Sequence, residues 1–159
     1  MDRINDILNN NKFIKYLNKN EKREKRRVFC KHTLEHFLDT ARIAYIINLE
    51  NNLGISKEDI YATALLHDIG KWKQYESGIP HEIASSELAK TILQECSFNA
   101  TEIGIITEAI LGHRKKEENP KDLIGLISLA DKLSRNCFNC KAKDNCSWNE
   151  EKKNHGINM

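Results

Sequence analysis

Apolar residues recur three and four positions apart along almost the whole chain, and no sustained period-two alternation bounded by turn residues interrupts them. This spacing makes α-helices the building material and argues against a sheet. Only two prolines punctuate the 159 residues. The reading is an all-α, single-domain bundle of five or six main helices in residues 1–136. A short cysteine-containing appendage with a polar tail, residues 137–159, follows where the apolar content falls.

Helix signals set the expected boundaries. A first helix spans about residues 2–18, with Ile4, Ile7, Leu8, Ile14 and Leu17 at helical spacings. A second runs from Thr33 to Asn51 on a stripe of Leu34, Leu38, Ala41 and Tyr45, and Gly54 lies beyond it as a stop signal. Ser56 caps a third that continues through Ile60, Ala64 and Leu65 to His67, and Gly70 ends it. Pro80 suits the first helical position of a fourth, "PHEIASSELAKTILQE". Asn99, with Glu102 three residues on, starts a fifth. Asn119 and Pro120 introduce the sixth, "KDLIGLISLADKLSRN".

Charge narrows the partners. A net charge of +2 gives no general attraction to nucleic acid or to an anionic membrane. The local exception, "KNEKREKRRVFCK" from Lys19 to Lys31, holds seven basic and two acidic residues and reads as a solvated run. Nucleic acid is therefore a minor expectation. No apolar run reaches the roughly 18 residues that a membrane span needs, and "MDRINDILNNNKF" lacks the apolar core of an export signal. The expectation is a cytoplasmic protein with no membrane partner, whose five cysteines are thiols or metal ligands rather than disulfides.

The histidines and two aspartates carry the chemistry. In "ATALLHDIGKW", His67 and Asp68 stand directly behind Ala62, Ala64, Leu65 and Leu66 on what is otherwise a buried helix. A carboxylate taken out of water must pair, neutralise or bind a metal. His32 and His36 lie four apart at the start of the second helix, where they can share a face. His81 opens the fourth helix, His113 follows the apolar run "IGIITEAILG", and Asp131 shares the inward stripe of Ile124 and Ile127. Each alone has a structural explanation as a capping or hydrogen-bonded core residue. Together they are explained by one metal centre, because imidazole nitrogen and carboxylate oxygen suit the same cations.

At these residues the chain also resembles a family. "HFLDTARIA", "LLHDIGKW" and "ISLADKLSR" are similar to the successive motifs of the HD-domain metal-dependent phosphohydrolases. His81 in "PHEIASSELA" and His113 in "ILGHRK" resemble the larger ligand set of dinuclear members, including the bacterial symmetrical diadenosine tetraphosphatases. The resemblance covers about residues 30–136. It implies an HD-type helical bundle in which His36, His67, Asp68 and Asp131 hold one metal. Asp68 would bridge to a second held by His81 and His113. No "GYP" follows the His-Asp segment, which separates the chain from the HD-GYP cyclic dinucleotide phosphodiesterases. His32 matches no ligand motif and is expected at the surface or behind the ligands.

The activity implied is hydrolysis of a nucleotide or other small phosphate ester, with a hydroxide bridging two metals as nucleophile. Lys71 and Arg114 follow His-Asp and His113 closely enough to neutralise substrate phosphate, and with Asp68, Lys71 is the candidate catalytic residue. The nitrogen and oxygen donor set suits two divalent or mixed-valence ions of iron or manganese at least as well as zinc. Two alternatives remain: a phosphodiesterase on a cyclic or dinucleoside polyphosphate, and a non-catalytic metal or nucleotide sensor.

"CFNCKAKDNC" supplies Cys137, Cys140 and Cys146, and a C-x2-C unit lets two thiolates grip one ion. Cys30 precedes His36 by six residues and Cys137 follows Asp131 by six. If those two helices run antiparallel, both cysteines are displaced by about 9 Å in the same direction. The expectation is a structural zinc at Cys30, Cys137, Cys140 and Cys146, with an iron–sulfur cluster as the alternative. His32 or His155 could replace Cys30, and Cys96 reads as a buried, inert thiol.

Overall fold

Asn10 divides what the periodicity presents as one amino-terminal helix. Its backbone is extended and its side chain accepts from the backbone N–H groups of Lys12 and Phe13, so α1 (Asp2–Asn9) ends and α2 (Asn11–Glu24) begins around it. The computed structural model describes residues 1–114 and 120–157. Six more helices follow: α3 (Leu34–Glu50), α4 (Lys57–Leu66), α5 (Lys71–Ser77), α6 (His81–Glu95), α7 (Ala100–Gly112) and α8 (Leu123–Leu133). Three short 3-10 turns, Cys137–Asn139, Lys143–Asn145 and Glu150–Lys152, form the appendage. The described residues contain no strand.

The caps agree with the sequence reading at α4 and α7. Ser56 and Asn99 accept from the expected backbone N–H groups, and Asn99 with Glu102 completes a capping box; Thr33, read as the start of α3, is its N-cap and accepts from His36 N–H. Elsewhere the structure corrects it. Pro80 is the N-cap of α6, with extended backbone, instead of its first helical residue. Asp122 caps α8 by accepting from Gly125 N–H, and the proposed starting residue Asn119 lies outside the described residues. The buried face of α3 is Phe37, Ala41, Ala44 and Ile47, rotated from the expected stripe, so that Leu34, Leu38 and Tyr45 are only partly buried.

Two apolar clusters share α3, α4 and α7. One gathers Ile7, Phe13, Phe37, Leu65, Leu66, Ile92 and Ile106; the other packs Ala41, Ala44, Ile60 and Ala64 against Leu126, Ile127 and Ala130 of α8. Small residues on α3, α4 and α8 let these helices approach closely. Burying a large aliphatic side chain is worth about 1.5–3 kcal/mol, so these clusters fix the helix ends from which the polar residues project.

Gly70 does not merely stop α4. It is the N-cap of α5, a helix that the sequence reading passed over, and its N–H donates to Ser85 Oγ at 2.9 Å. A Cβ at this position would meet the Ser85 backbone nitrogen at 2.5 Å and the Ala84 carbonyl carbon at 2.7 Å. The glycine is required by close approach to α6, since its φ of −93° suits any residue. Gly70→Ala is expected to cost about 1–3 kcal/mol, because backbone atoms cannot yield as a side chain can. Thermal unfolding should show a midpoint lower by several degrees; an unchanged midpoint would mean that α6 moves freely.

Candidate metal centre

The polar residues converge because five helix ends meet. His36 lies in the first turn of α3, His67 and Asp68 directly follow α4, His81 opens α6, His113 ends α7 and Asp131 lies near the end of α8. Two donor groups result, each with its ligand atoms within 4.8 Å of one another: His36, His67, Asp68 and Asp131, and Asp68, His81 and His113. Asp68 belongs to both. Its Oδ1 faces His81 Nε2 at 3.1 Å and His113 Nε2 at 3.9 Å, while its Oδ2 faces His67 Nε2 at 3.4 Å. Asp131 Oδ1 lies 3.1 Å from His36 Nε2 and 3.7 Å from His67 Nε2.

The local folding of each helix end orients the rings. His67 Nδ1 donates to Ala64 O at 2.7 Å and His113 Nδ1 donates to Ile110 O at 2.6 Å. His81 Nδ1 lies 2.7 Å from the Gln74 Oε1 acceptor. Ser134 Oγ, which donates to Asp131 O, can accept from His36 Nδ1 at 3.1 Å. A proton held on Nδ1 leaves the Nε2 lone pair to point inward, the arrangement that a metal-ligating imidazole requires. His67 Nε2 and Asp68 Oδ1 are buried with no hydrogen-bond partner. Two carboxylates converging on buried ring nitrogens are costly unless positive charge, a proton or a metal cation, lies between them, so the donor set fits a metal.

Electrostatics point the same way. Burial pushes His36 and His81 down to about 4 and lowers His113, keeping these rings in the neutral, ligating form. Burial would raise Asp68, but the neighbouring histidines hold it well below the usual carboxylate range; Arg135 does the same for Asp131. Burial lowers His67, yet Asp68 and Asp131 more than reverse this and push it up to about 10. The centre thus demands positive charge, and a metal entering it competes with a proton at His67. Part of that demand is met by the buried Arg135, whose Nη2 donates to Asp131 Oδ1 at 2.8 Å and to His36 Nε2 at 2.9 Å.

Three further residues act behind the ligands. His32 is the one that the sequence places at the surface or behind the ligands; it is buried behind them, although it precedes α3 and does not share a helical face with His36. Its Nδ1 lies 2.5 Å from Glu24 Oε1 and its Nε2 lies 3.3 Å from Asp68 Oδ2. Asn20 of α2 donates to Asp68 O at 2.9 Å and accepts from Trp72 N–H at 2.8 Å, clamping the turn that carries His67 and Asp68. Arg135 is the third. Nothing in the sequence around Asn20, which lies inside the basic run, or Arg135 marks either residue as part of the centre.

The centre opens into a cavity of about 630 Å³. Its walls include Asp68, His81, His113 and Asp131, together with both predicted phosphate contacts. Lys71 is the first residue of α5, with Nζ 3.1 Å from His81 Nδ1, and burial lowers its pKa. Arg114 is exposed and donates to Glu82 Oε1 at 3.2 Å. Arg27, Lys132, Arg135, Lys143, Lys152 and Lys153 also line this space, as do Phe29 and Trp148. All four predicted cysteines, Cys30, Cys137, Cys140 and Cys146, border it as well.

Comparison with known proteins bears on this arrangement. A family model for the HD domain matches residues 33–136, the segment that delivers His36, His67, Asp68, His81, His113 and Asp131. The chain belongs to the HD-domain family. An uncharacterized protein of Clostridium beijerinckii is 58% identical over 158 residues, 99% of each chain. Ribonuclease Y of Mycoplasma mycoides is 28% identical over 106 residues, and that of Lawsonia intracellularis 31% over 107; each match covers 67% of this chain and 19% of the ribonuclease. This HD-domain chain thus spans about a fifth of the ribonuclease Y relatives it matches. No solved structure matches it. No helix among the described residues is long and apolar enough to cross a membrane.

Proposed function

We propose that this HD-domain protein is a metal-dependent phosphohydrolase that uses two metal ions sharing Asp68 to hydrolyse a nucleotide or other small phosphate ester. The observation that carries the reading is the division of Asp68. One carboxylate oxygen faces His81 and His113, the other faces His67, and the buried Oδ1 has no hydrogen-bond donor. When bound, a metal pair supplies Lewis acidity that activates water at neutral pH and offsets charge on the phosphoryl oxygens.

The chain's own residues do the rest. His36, His67 and Asp131 would hold the first ion and His81 and His113 the second, in a mixed donor set suited to iron or manganese, with zinc also accommodated. Lys71 and Arg114 draw the substrate phosphate toward the centre. The cationic walls select an anion, and Phe29 and Trp148 offer ring faces for a nucleobase. A cavity of about 630 Å³ has the size of a small-molecule site.

The similarity to ribonuclease Y supports a second reading, phosphodiester cleavage in a nuclease-like reaction. One panel separates the readings: purified protein with added iron, manganese or zinc, offered nucleoside monophosphates, dinucleoside polyphosphates, cyclic dinucleotides and short RNA. Saturable, metal-dependent release of inorganic phosphate from monoesters is the expected result. Activity confined to RNA or diesters would replace the first reading with the second, and no turnover on any of them, with metal bound, would leave a sensor.

A further inference from the structure

The appendage raises a physical problem. Between Asn136 and Ile157 only Cys137 and Asn154 are buried, yet the segment follows a defined path of three 3-10 turns along the cavity wall. Phe138, its one phenylalanine, is 47% exposed. Ordering a residue's backbone costs about 1–2 kcal/mol, and this segment buries too little apolar surface to offset that. Small elements without a core of their own commonly rely on a disulfide or a structural metal. Among the described residues all five cysteines are free thiols.

The bundle brings a fourth thiol to the three of the appendage. His36 at the start of α3 meets Asp131 at the end of α8, so the segment before α3 and the segment after α8 emerge on the same side. Arg27 Nε donates to Cys30 O at 2.8 Å, and Asn154 Nδ2 donates to Lys132 O at 2.7 Å and Arg135 O at 2.8 Å, fixing both segments there. Cys30, Cys137, Cys140 and Cys146 then border one cavity. The alternatives to Cys30 are otherwise engaged: His32 Nδ1 is held by Glu24, and the exposed His155 bonds Glu150 O.

We infer that Cys30, Cys137, Cys140 and Cys146 form a four-thiolate site for a thiophilic metal centre that staples the appendage along the HD cavity, setting Trp148, Lys143 and Lys153 in its wall. Zinc and an iron–sulfur cluster share this ligand chemistry. No three sulfurs, among the described residues, lie within 4.8 Å of one another. A single zinc would draw them to about 3.8 Å apart, as bonds of about 2.3 Å in a tetrahedron demand, whereas a cluster would hold them wider.

The test uses the full chain, purified anaerobically without chelator. Metal and acid-labile sulfide are quantified, X-ray absorption reads the ligand shell, and a thiol reagent counts accessible sulfurs before and after the metal is stripped. Expected, beyond any metal in the HD centre, are either one zinc without sulfide, or iron matched to sulfide with a visible charge-transfer band, with sulfur ligands in either case. This centre should persist in Asp68→Asn and disappear in Cys140→Ser. In the native wild type, four thiols should resist the reagent; after stripping they should react, and a protease should cut within residues 137–153 at least about tenfold faster. Four immediately reactive thiols, a shell of only nitrogen and oxygen, or proteolysis indifferent to stripping would overturn the inference, whether or not the cysteine variant folds.

Discussion

Asp68→Asn is expected to lower turnover by about a thousandfold or more, roughly 4 kcal/mol of transition-state stabilisation, while the helical fold survives. The two effects separate because two parts of Asp68 do different work. Its backbone carbonyl accepts from Asn20 and anchors the turn between α4 and α5, and the substitution leaves that bond intact. Its carboxylate faces four histidines: His32, His67, His81 and His113. An asparagine has nearly the same shape but cannot offer a negatively charged oxygen to each half of the centre. Metal content should fall with turnover, while circular dichroism and the unfolding midpoint of the metal-free protein stay near those of wild type. A variant that kept both its metal and its hydrolytic rate would refute the bridging role.

The separation between legible and illegible features follows the same physics. His36, His67, His81, His113 and Asp131 were readable because each interrupts an apolar pattern at a helix end, where an ionisable group needs a reason to be. The helical class was readable from periodicity, and Ser56 and Asn99 from local capping chemistry. Residues acting across long sequence separations left little trace. Asn20 touches Asp68 forty-eight positions away, inside a run whose composition says only that it is charged. Helix α5 has no legible signal because "KWKQYES" is short and mostly polar, and Trp72 is its one buried residue. Gly70 looked like a stop signal, but its constraint is contact with α6, which no local pattern encodes. Arg135 follows α8 as an ordinary terminal cation would, and only the assembled bundle shows it held between His36 and Asp131.

Removing Glu24 is expected to have the largest effect on stability. Only 1% exposed, it accepts from His32 N–H at 2.7 Å, from Tyr75 O–H at 2.7 Å, and pairs with His32 Nδ1 at 2.5 Å. Glu24→Ala leaves the buried His32 N–H and ring without an acceptor, while the more exposed Tyr75 can turn to water, and should cost about 3–5 kcal/mol, the usual penalty for breaking one side of a buried pair. The unfolding midpoint should fall by roughly 10 °C. Burial alone would raise the Glu24 carboxyl, but His32 and Tyr75 hold it at about 2, below its ordinary 4.5. A depressed carboxyl stabilises the fold above pH 4.5, and this contribution is lost as pH falls through the interval down to about 2. Allowing for solvent screening, it amounts to roughly 2 kcal/mol. Glu24→Gln has no such titration, so the stability gap between it and wild type, measured by denaturant unfolding, should narrow by roughly 1 kcal/mol between pH 7 and pH 3, where a little over half of the interval has been crossed. A gap independent of pH would show that Glu24 acts only through its shape. Since His32 Nε2 lies 3.3 Å from Asp68 Oδ2, freeing His32 from Glu24 should also reduce turnover by about 10- to 100-fold, the range typical of residues that orient a metal centre from behind.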